Sequence, residues 1–434
     1  MKIAIVGGGL TGMSAARALS TAGHACTLYE RDDALGGLAG SFRVDGALLE
    51  KFYHHLFTSD TAIVRLIEDM GLGGDLVWNP TATGTYYAGR IFRLATPMDV
   101  LRFKPLSFVN RIRLGSLAII PRFVRDWRKL EEITARDWLI KWGGQRVYDV
   151  VWYPLIRNKF GAHADEVAAV WFWNKLKLRG GSRGKGQAEN LGYLLGGFGR
   201  AIEALEARLR EMGVDIRLSS PVQRIVTEGG RVIGVEANGR REEFDLVLVT
   251  AAPEILLNLA PELPDDYRQR LGQIKYLANA CLIMKLNRSL SSTYWLNIND
   301  ADIPFVAVVE HTNMQRTEEY GGHHLAYLSR YMDAADSYYA MSAEELFRAY
   351  LPHLQTIYPG FSPDWVEDLY AWRERYTQPV VGLHYSDIRP LFKTPVDGLW
   401  LCSMSQIYPE DRGMNYAVAY GQKVAAAILA ASGT

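Results

Sequence analysis

Cysteine is scarce in this chain. Cys26, Cys281 and Cys402 are its only three, too few and too scattered for a disulfide framework or a thiolate metal site. The nine histidines also lack metal-ligand spacing, since His54-His55 and His323-His324 are adjacent pairs and not i, i+4 pairs on a helix. No metal is therefore expected. Net charge is absent too: 48 basic residues balance 48 acidic ones, which removes the electrostatic case for nucleic-acid binding by the whole chain. No run of 18 apolar residues occurs, so no spanning helix is expected. The apolar start after Lys2 is too short, and too broken by glycine, for a signal peptide. These absences together point to a reducing, cytoplasmic setting. What is present, 48% hydrophobic and 22% charged residues over 434 positions, is the composition of a globular enzyme with room for two or three domains.

The most informative stretch comes first. "KIAIV" reads as a buried strand, and Met13, Ala16 and Leu19 open a helical stripe. Between them Gly7-Gly8-Gly9-Leu10-Thr11-Gly12 satisfies G-x-G-x-x-G. Gly7 serves the tight turn, Gly9 lets backbone approach a diphosphate, and Gly12 lets helix and strand pack closely. The diphosphate would rest on the free N–H groups around Leu10 and Thr11, at the positive end of the helix dipole. A second strand, "HACTLYE", ends on Glu30, placed to bind ribose hydroxyls and to disfavour a 2′-phosphate. A glycine-rich turn that binds nothing is the competing reading, and it leaves this ordered strand–turn–helix–strand–acid series unexplained.

The continuation, "ERDDALGGLAGS", resembles the flavoprotein superfamily of amine oxidases, protoporphyrinogen oxidases, phytoene-type desaturases and UDP-galactopyranose mutases. Their pattern E-x-x-x-x-x-G-G-R-x-x-[ST] is met by Glu30, Gly36, Gly37 and Ser41, with Leu38 where the family has arginine and Asp32 where it has another. The resemblance implies FAD, contacted around Arg31 and Leu38. It also implies an adenine-side strand at "PVQRIV", hence Val222, and a closing turn at Thr250 and Ala251. A C-terminal helix would meet the flavin, with Asp411, Arg412, Gly413 and Met414 beside it. The fold so implied is α/β. A Rossmann-like FAD-binding domain (1–75, 190–265 and 385–434) is interleaved with an α+β substrate domain (76–189 and 266–384) carrying a partly helical insertion.

Chemistry is sought where the resemblance passes the flavin edge, "LEKFYHHLF", so Tyr53, His54 and His55 are candidates for contact with flavin or substrate. Histidine shuttles protons near neutral pH, although a pair that merely satisfies backbone groups is as good a reading. Arg157, Lys159, Lys175, Lys177, Arg179, Arg183 and Lys185 are interleaved with Trp152, Tyr153, Trp171, Phe172 and Trp173. That mixture suits an anionic substrate, or a solvated basic surface. His311, Arg375, Tyr376 and His384 could reach the same pocket. Residues 102–130 carry eight basic residues against Asp126 alone, interleaved with large apolar ones. This reads as a surface helix on an anionic membrane at the inner face, or as an amphipathic cover of the substrate domain.

Three functions compete. The first is an FAD-dependent oxidoreductase acting on a hydrophobic or phosphate-bearing small molecule, such as an isoprenoid or a lipid- or nucleotide-linked sugar. The second is a non-redox flavoenzyme similar to the mutases. The third is a flavin-binding, membrane-peripheral protein without turnover.

Overall fold

The computed structural model describes residues 1–94, 96–181 and 189–433. Arg183 and Lys185 lie outside these, as does the side chain of Arg179. The first strand, Lys2–Val6, runs directly into the glycine turn and the helix Leu10–Thr21, whose Met13, Ala16 and Leu19 are fully buried against the sheet. Five parallel strands form that sheet, in the order Asp215–Arg217, Ala25–Tyr29, Lys2–Val6, Leu246–Val249, Leu399–Leu401. All four residues of "LVLV" at 246–249 are buried, as a central parallel strand requires. Successive connections leave Lys2–Val6 on opposite sides, so the carboxyl ends of Val6 and Val249 border a topological switch point, where ligands bind in open α/β sheets. A separate antiparallel sheet, Val222–Glu228, Arg231–Ala237 and Arg240–Glu243, packs beside it.

A second sheet has seven strands, in the order Val366–Pro379, Tyr276–Leu286, His324–Met332, Ala307–Glu310, Trp295–Ile298, Thr83–Tyr87, Arg90–Arg93. Only Trp295–Ile298 and Thr83–Tyr87 pair in parallel. Its strands all come from 76–189 and 266–384, whereas those of the parallel sheet come from 1–75, 190–265 and 385–434. Residues 97–181 fold as short helices around a core that includes Trp138, Leu139, Phe160 and Trp171.

The single surface helix expected over 102–130 does not form. In its place are helices Pro97–Arg102 and Phe108–Ser116, followed by 3-10 turns Ile120–Phe123 and Trp127–Leu130. Pro105 and Pro121 cannot donate the N–H that a continuous helix needs, and each lies at a break.

Candidate functional site

The glycine turn is held from behind. Gly7, at φ +113°, packs on Thr250, whose hydroxyl donates to the carbonyls of Gly7 (2.9 Å) and Val6 (3.1 Å). Thr250 is thus a support of the turn, placed at the switch point. Gly36, at φ +115°, donates its N–H to the Gly8 carbonyl at 2.9 Å, which docks the second glycine pair on the first. Buried Glu30 accepts from the N–H groups of Gly8 (2.7 Å) and Asp32 (3.0 Å). A carboxylate has about four acceptor positions, so two remain for ribose hydroxyls.

Whether FAD fits here can be judged from the glycines. A Cβ on Gly12 would sit 2.0 Å from the Gly7 carbonyl oxygen, so the fold itself requires that glycine. A Cβ on Gly9 would meet nothing nearer than the Gly36 carbonyl oxygen at 4.0 Å, and one on Gly413 nothing within 4 Å. Packing therefore gives no reason for either glycine, and space for a ligand does. Each is the N-cap of a long helix, Leu10–Thr21 and Met414–Ser432, with neither a capping side chain nor an acidic residue in the first turn. Two open helix N-termini edged by bare backbone suit an anionic dinucleotide. The two helices are packed tightly, since a Cβ on Gly421 would approach the Thr11 carbonyl oxygen to 2.4 Å.

The other predicted cofactor contacts divide. Val222 and the half-buried Ala251 border the core beside the parallel sheet, and Leu38 lies half-buried in the 3-10 turn Gly37–Ala39. Arg31 is directed away, to Glu374 of the seven-stranded sheet at 2.8 Å.

The remaining candidates meet where the loop before the last helix contacts the seven-stranded sheet and the helical insertion. Tyr53 stands edge-on to Trp295 (centroids 4.9 Å) and to Tyr327 (6.1 Å). His55 bonds through Nδ1 to the Tyr294 hydroxyl at 3.1 Å. His54 Nδ1 lies 2.5 Å from the Phe52 carbonyl, which can only accept, so Nδ1 carries the proton and Nε2 is left as acceptor. Burial, assisted by the charge of Arg412, lowers the His54 pKa to about 4 and keeps the ring neutral at pH 7. Burial likewise raises the Tyr53 phenol well above its ordinary range.

Arg412 donates from Nε to Gln378 Oε1 (3.0 Å) and from a terminal nitrogen to the Tyr331 hydroxyl (2.5 Å). Its neighbour Asp411 accepts from Trp171 Nε1 (3.1 Å) and Gln378 Nε2 (3.4 Å). Asp411 is paired with Lys175 and, at 3.9 Å, with Lys159. Burial alone would raise its pKa, but Lys175, Lys159 and Arg412 outweigh that and hold the carboxyl well below the usual range. Asp411 thus faces the helical insertion through these partners.

Two predicted catalytic residues lie elsewhere. Arg157 is exposed and donates to the Gly161 carbonyl (3.1 Å), closing the end of its own helix. His311 is buried in the core with Nε2 2.8 Å from the Tyr320 hydroxyl, and burial lowers its pKa to about 3. Arg375 pairs with Glu254 and His384 is exposed. Tyr331 and Gln378 went unnoticed in the sequence, although Tyr327, Ser329 and Tyr331 alternate along one strand and so share a face.

A doubly wound sheet with an open dinucleotide cradle, joined to a second, mostly antiparallel sheet, defines a dinucleotide-binding protein. The family model for flavin containing amine oxidoreductase matches residues 10–429, and the chain belongs to that family. Among its relatives is a 15-cis-phytoene desaturase from Synechococcus elongatus, 24% identical over 390 residues, covering 83% of this chain and 80% of the relative. Cyclohexylamine oxidase from Brevibacterium oxydans has the same fold at TM-score 0.78 and 16% identity, covering 100% of this chain and 99% of that one. A reduced UDP-galactopyranose mutase matches at TM-score 0.77 and 15% identity, covering 99% and 96%. The cofactor is FAD.

Proposed function

We propose that the protein moves hydride between FAD and a hydrophobic or phosphate-bearing substrate, of the isoprenoid or lipid- or nucleotide-linked sugar kind, held against Tyr53, His54, Tyr331 and Arg412. When bound, the flavin supplies a two-electron acceptor or donor at N5. The observation that carries the reading is the cluster of Tyr53, His54, Trp295 and Tyr327 at the seven-stranded sheet. Its rings pack edge-on, His54 is held neutral, and the Tyr53 phenol is held far from ionisation. Such groups orient a substrate and exclude water, and they leave proton transfer to the neutral His54 Nε2 at most. The phytoene desaturase relative, whose named substrate is a hydrocarbon, supports a hydrophobic substrate here.

The likeness to the mutase favours a second reading, in which a nucleotide sugar is rearranged without net oxidation. The same proposal gives the exposed apolar and basic face of residues 102–130 the role of resting on an anionic membrane from which a lipid-linked substrate is drawn.

The test is an anaerobic spectrum of the FAD-loaded protein mixed with prenyl phosphates, then with NADH or NADPH. Bleaching of the flavin band by the prenyl compound with a new double bond in the product, or return of a band first bleached by NADH or NADPH with a double bond lost from the product, is the expected result. Rearrangement of a nucleotide sugar by the dithionite-reduced protein, with the flavin remaining reduced throughout, would establish the second reading in its place. A flavin band unmoved by all of these would mean a binding protein without turnover.

A further inference from the structure

One face of the seven-stranded sheet is directed at the FAD-binding segments. On that face Tyr327 donates to the Glu50 carbonyl (2.9 Å), and the Tyr331 hydroxyl accepts from Arg412 (2.5 Å). Asn279 projects from the same face, because it pairs directly with Tyr331 across the strands Tyr276–Leu286 and His324–Met332. Its Nδ2 donates to Ser329 Oγ at 2.8 Å, and the Ser329 hydroxyl in turn bonds the Tyr53 phenol. Asn279 is 2% exposed and Ser329 1%, so the protein itself shields this neutral chain. The other end of the amide is left over. Asn279 Oδ1 finds no donor among the described residues, although a buried carbonyl without one is costly. Glu374, its neighbour on the strand Val366–Pro379, offers none. Both of its carboxylate oxygens are engaged, by Arg31 and by the N–H groups of Arg375 and Tyr376.

The surroundings of that oxygen lead to the cofactor cradle from both ends. Arg412, which bonds the cross-strand neighbour Tyr331, immediately precedes Gly413, the open N-cap of the helix Met414–Ser432. A Cβ there would meet no atom within 4 Å. Tyr53, at the far end of the Asn279–Ser329 chain, follows the hairpin of Ser41–Val44 and Ala47–Glu50, which leaves the Gly36-Gly37 turn. We infer that Asn279 Oδ1 accepts a hydrogen bond from a ring N–H of the bound flavin, with Ser329 holding the amide in place. This rests on the Tyr53 cluster being the flavin-side site of the proposed reaction, and it adds a cofactor-binding residue from the seven-stranded sheet. The chain Asn279–Ser329–Tyr53 carries no charge, so it selects a neutral donor. The flavin ring has N3–H in both redox states and gains N5–H on reduction. A hydrocarbon tail has no such donor and a phosphate presents acceptors, which leaves a sugar hydroxyl as the competing donor from the substrate side. An acceptor at N5–H favours the reduced ring, whereas one at N3–H holds both states alike.

The test is reconstitution of the full-length protein with FAD, 3-methyl-FAD and 5-deaza-FAD, the last two lacking N3–H and N5–H respectively. Wild type and Asn279→Leu are compared for cofactor affinity and, with FAD, for midpoint potential. With an N3–H donor, Asn279→Leu should weaken FAD by roughly threefold to tenfold, the range for one hydrogen bond. Wild type should then show a similar loss with 3-methyl-FAD, and the two losses should not add. That coupling belongs to a direct contact, and a general structural defect does not produce it. With an N5–H donor, the FAD potential of Asn279→Leu should fall by up to ~30 mV, the equivalent of tenfold in a two-electron couple. The reduced cofactor should then show the coupling with 5-deaza-FAD. Asn279→Ser, which withdraws the acceptor without adding bulk, serves where the leucine variant does not fold, and the wild-type comparison of the three cofactors needs no variant. Affinity and potential both unchanged by loss of the Asn279 amide, or losses that add fully with those of both modified cofactors, would overturn the inference. Dithionite and redox dyes set these potentials without any substrate, so the two claims fail separately. Prenyl compounds that never move the flavin band remove the hydride-transfer reading alone, and an uncoupled Asn279 beside intact prenyl turnover removes this inference alone.

Discussion

Gly9 and Gly12 lie three residues apart in one turn, and a methyl group would have opposite consequences at each. At Gly12 it collides with the Gly7 carbonyl at 2.0 Å, so strand and helix must separate. Gly12→Ala should destabilise the protein by about 1–3 kcal/mol, the usual cost of overpacking. At Gly9 the backbone is extended, at φ −72° and ψ 172°, and the added carbon meets no protein atom nearer than 4.0 Å. Gly9→Ala should leave the stability of the apoprotein within about 0.5 kcal/mol of wild type while FAD affinity falls. Apoprotein unfolding curves and FAD titrations read the two effects separately. Equal destabilisation by both substitutions, or undiminished FAD binding by Gly9→Ala, would mean that the turn is not the cradle.

Between elements, one carboxyl does an unusual amount of joining. Glu50 ends the strand Ala47–Glu50, and its side chain accepts from Phe198 N–H (2.7 Å), at the start of the helix Gly199–Glu211, and from the Tyr193 hydroxyl (2.8 Å) on the strand Glu189–Leu194. Its carbonyl accepts from the Tyr327 hydroxyl (2.9 Å) on the seven-stranded sheet. Burial raises its pKa to about 7, the hydrogen bonds offsetting only part of that rise. A group whose folded pKa is raised stabilises the folded state fully below its unfolded value, near 4.5 for Glu50, and that contribution is lost as pH rises to about 7. The loss amounts to roughly 3 kcal/mol. His311 and His54 act in the opposite sense. Their depressed pKa values cost stability as pH falls below 6.5 toward 3 and 4, so the wild-type profile alone is ambiguous. Glu50→Gln resolves it. The variant should match wild type near pH 4 and exceed it in unfolding free energy by up to ~3 kcal/mol at pH 8, read by denaturant titration across that range. Parallel curves would place the Glu50 titration outside the folding equilibrium.

Elements also show why some of the site was legible and some was not. The cradle is local: Gly7 to Gly12 and Glu30 lie within one strand–helix–strand unit, so spacing alone assigns their roles, and the buried faces follow from period 3.6 and period 2. Tyr53 and His54 were expected from the family resemblance of "LEKFYHHLF" and not from spacing. The Arg412 partners were not, because Gln378 and Tyr331 reach it from residues 34 and 81 positions away through strand pairing, which no local pattern encodes. Arg157 was misplaced for the same reason. Composition marked its neighbourhood as basic and aromatic, but only the helix rotation decides that Lys159 faces Asp411 while Arg157 faces water.

At the scale of the whole molecule, a net charge of zero conceals an uneven surface. The prolines that divide residues 102–130 also turn their apolar side chains outward: Phe108 is 65% exposed and Phe123 77%, with Val109, Ile112 and Ile119 exposed as well. Eight of the protein's basic residues share this stretch, and among the described residues no helix is long and apolar enough to cross a membrane. A face both apolar and basic suits the boundary of an anionic bilayer, where each arginine near the surface contributes about 1 kcal/mol. Arg113→Gln, Arg122→Gln and Arg125→Gln together should weaken binding to vesicles containing phosphatidylglycerol by about 100-fold at low salt, with little effect at high salt, where the charges are screened. Phe108→Ser with Phe123→Ser should remove the salt-resistant remainder, because that part depends on buried apolar area. Vesicle co-sedimentation across a salt series measures both. Wild-type protein that stays in the supernatant with anionic vesicles at low salt would leave these side chains as an uncovered face of the helical insertion, and the substrate would then have to reach its site from water.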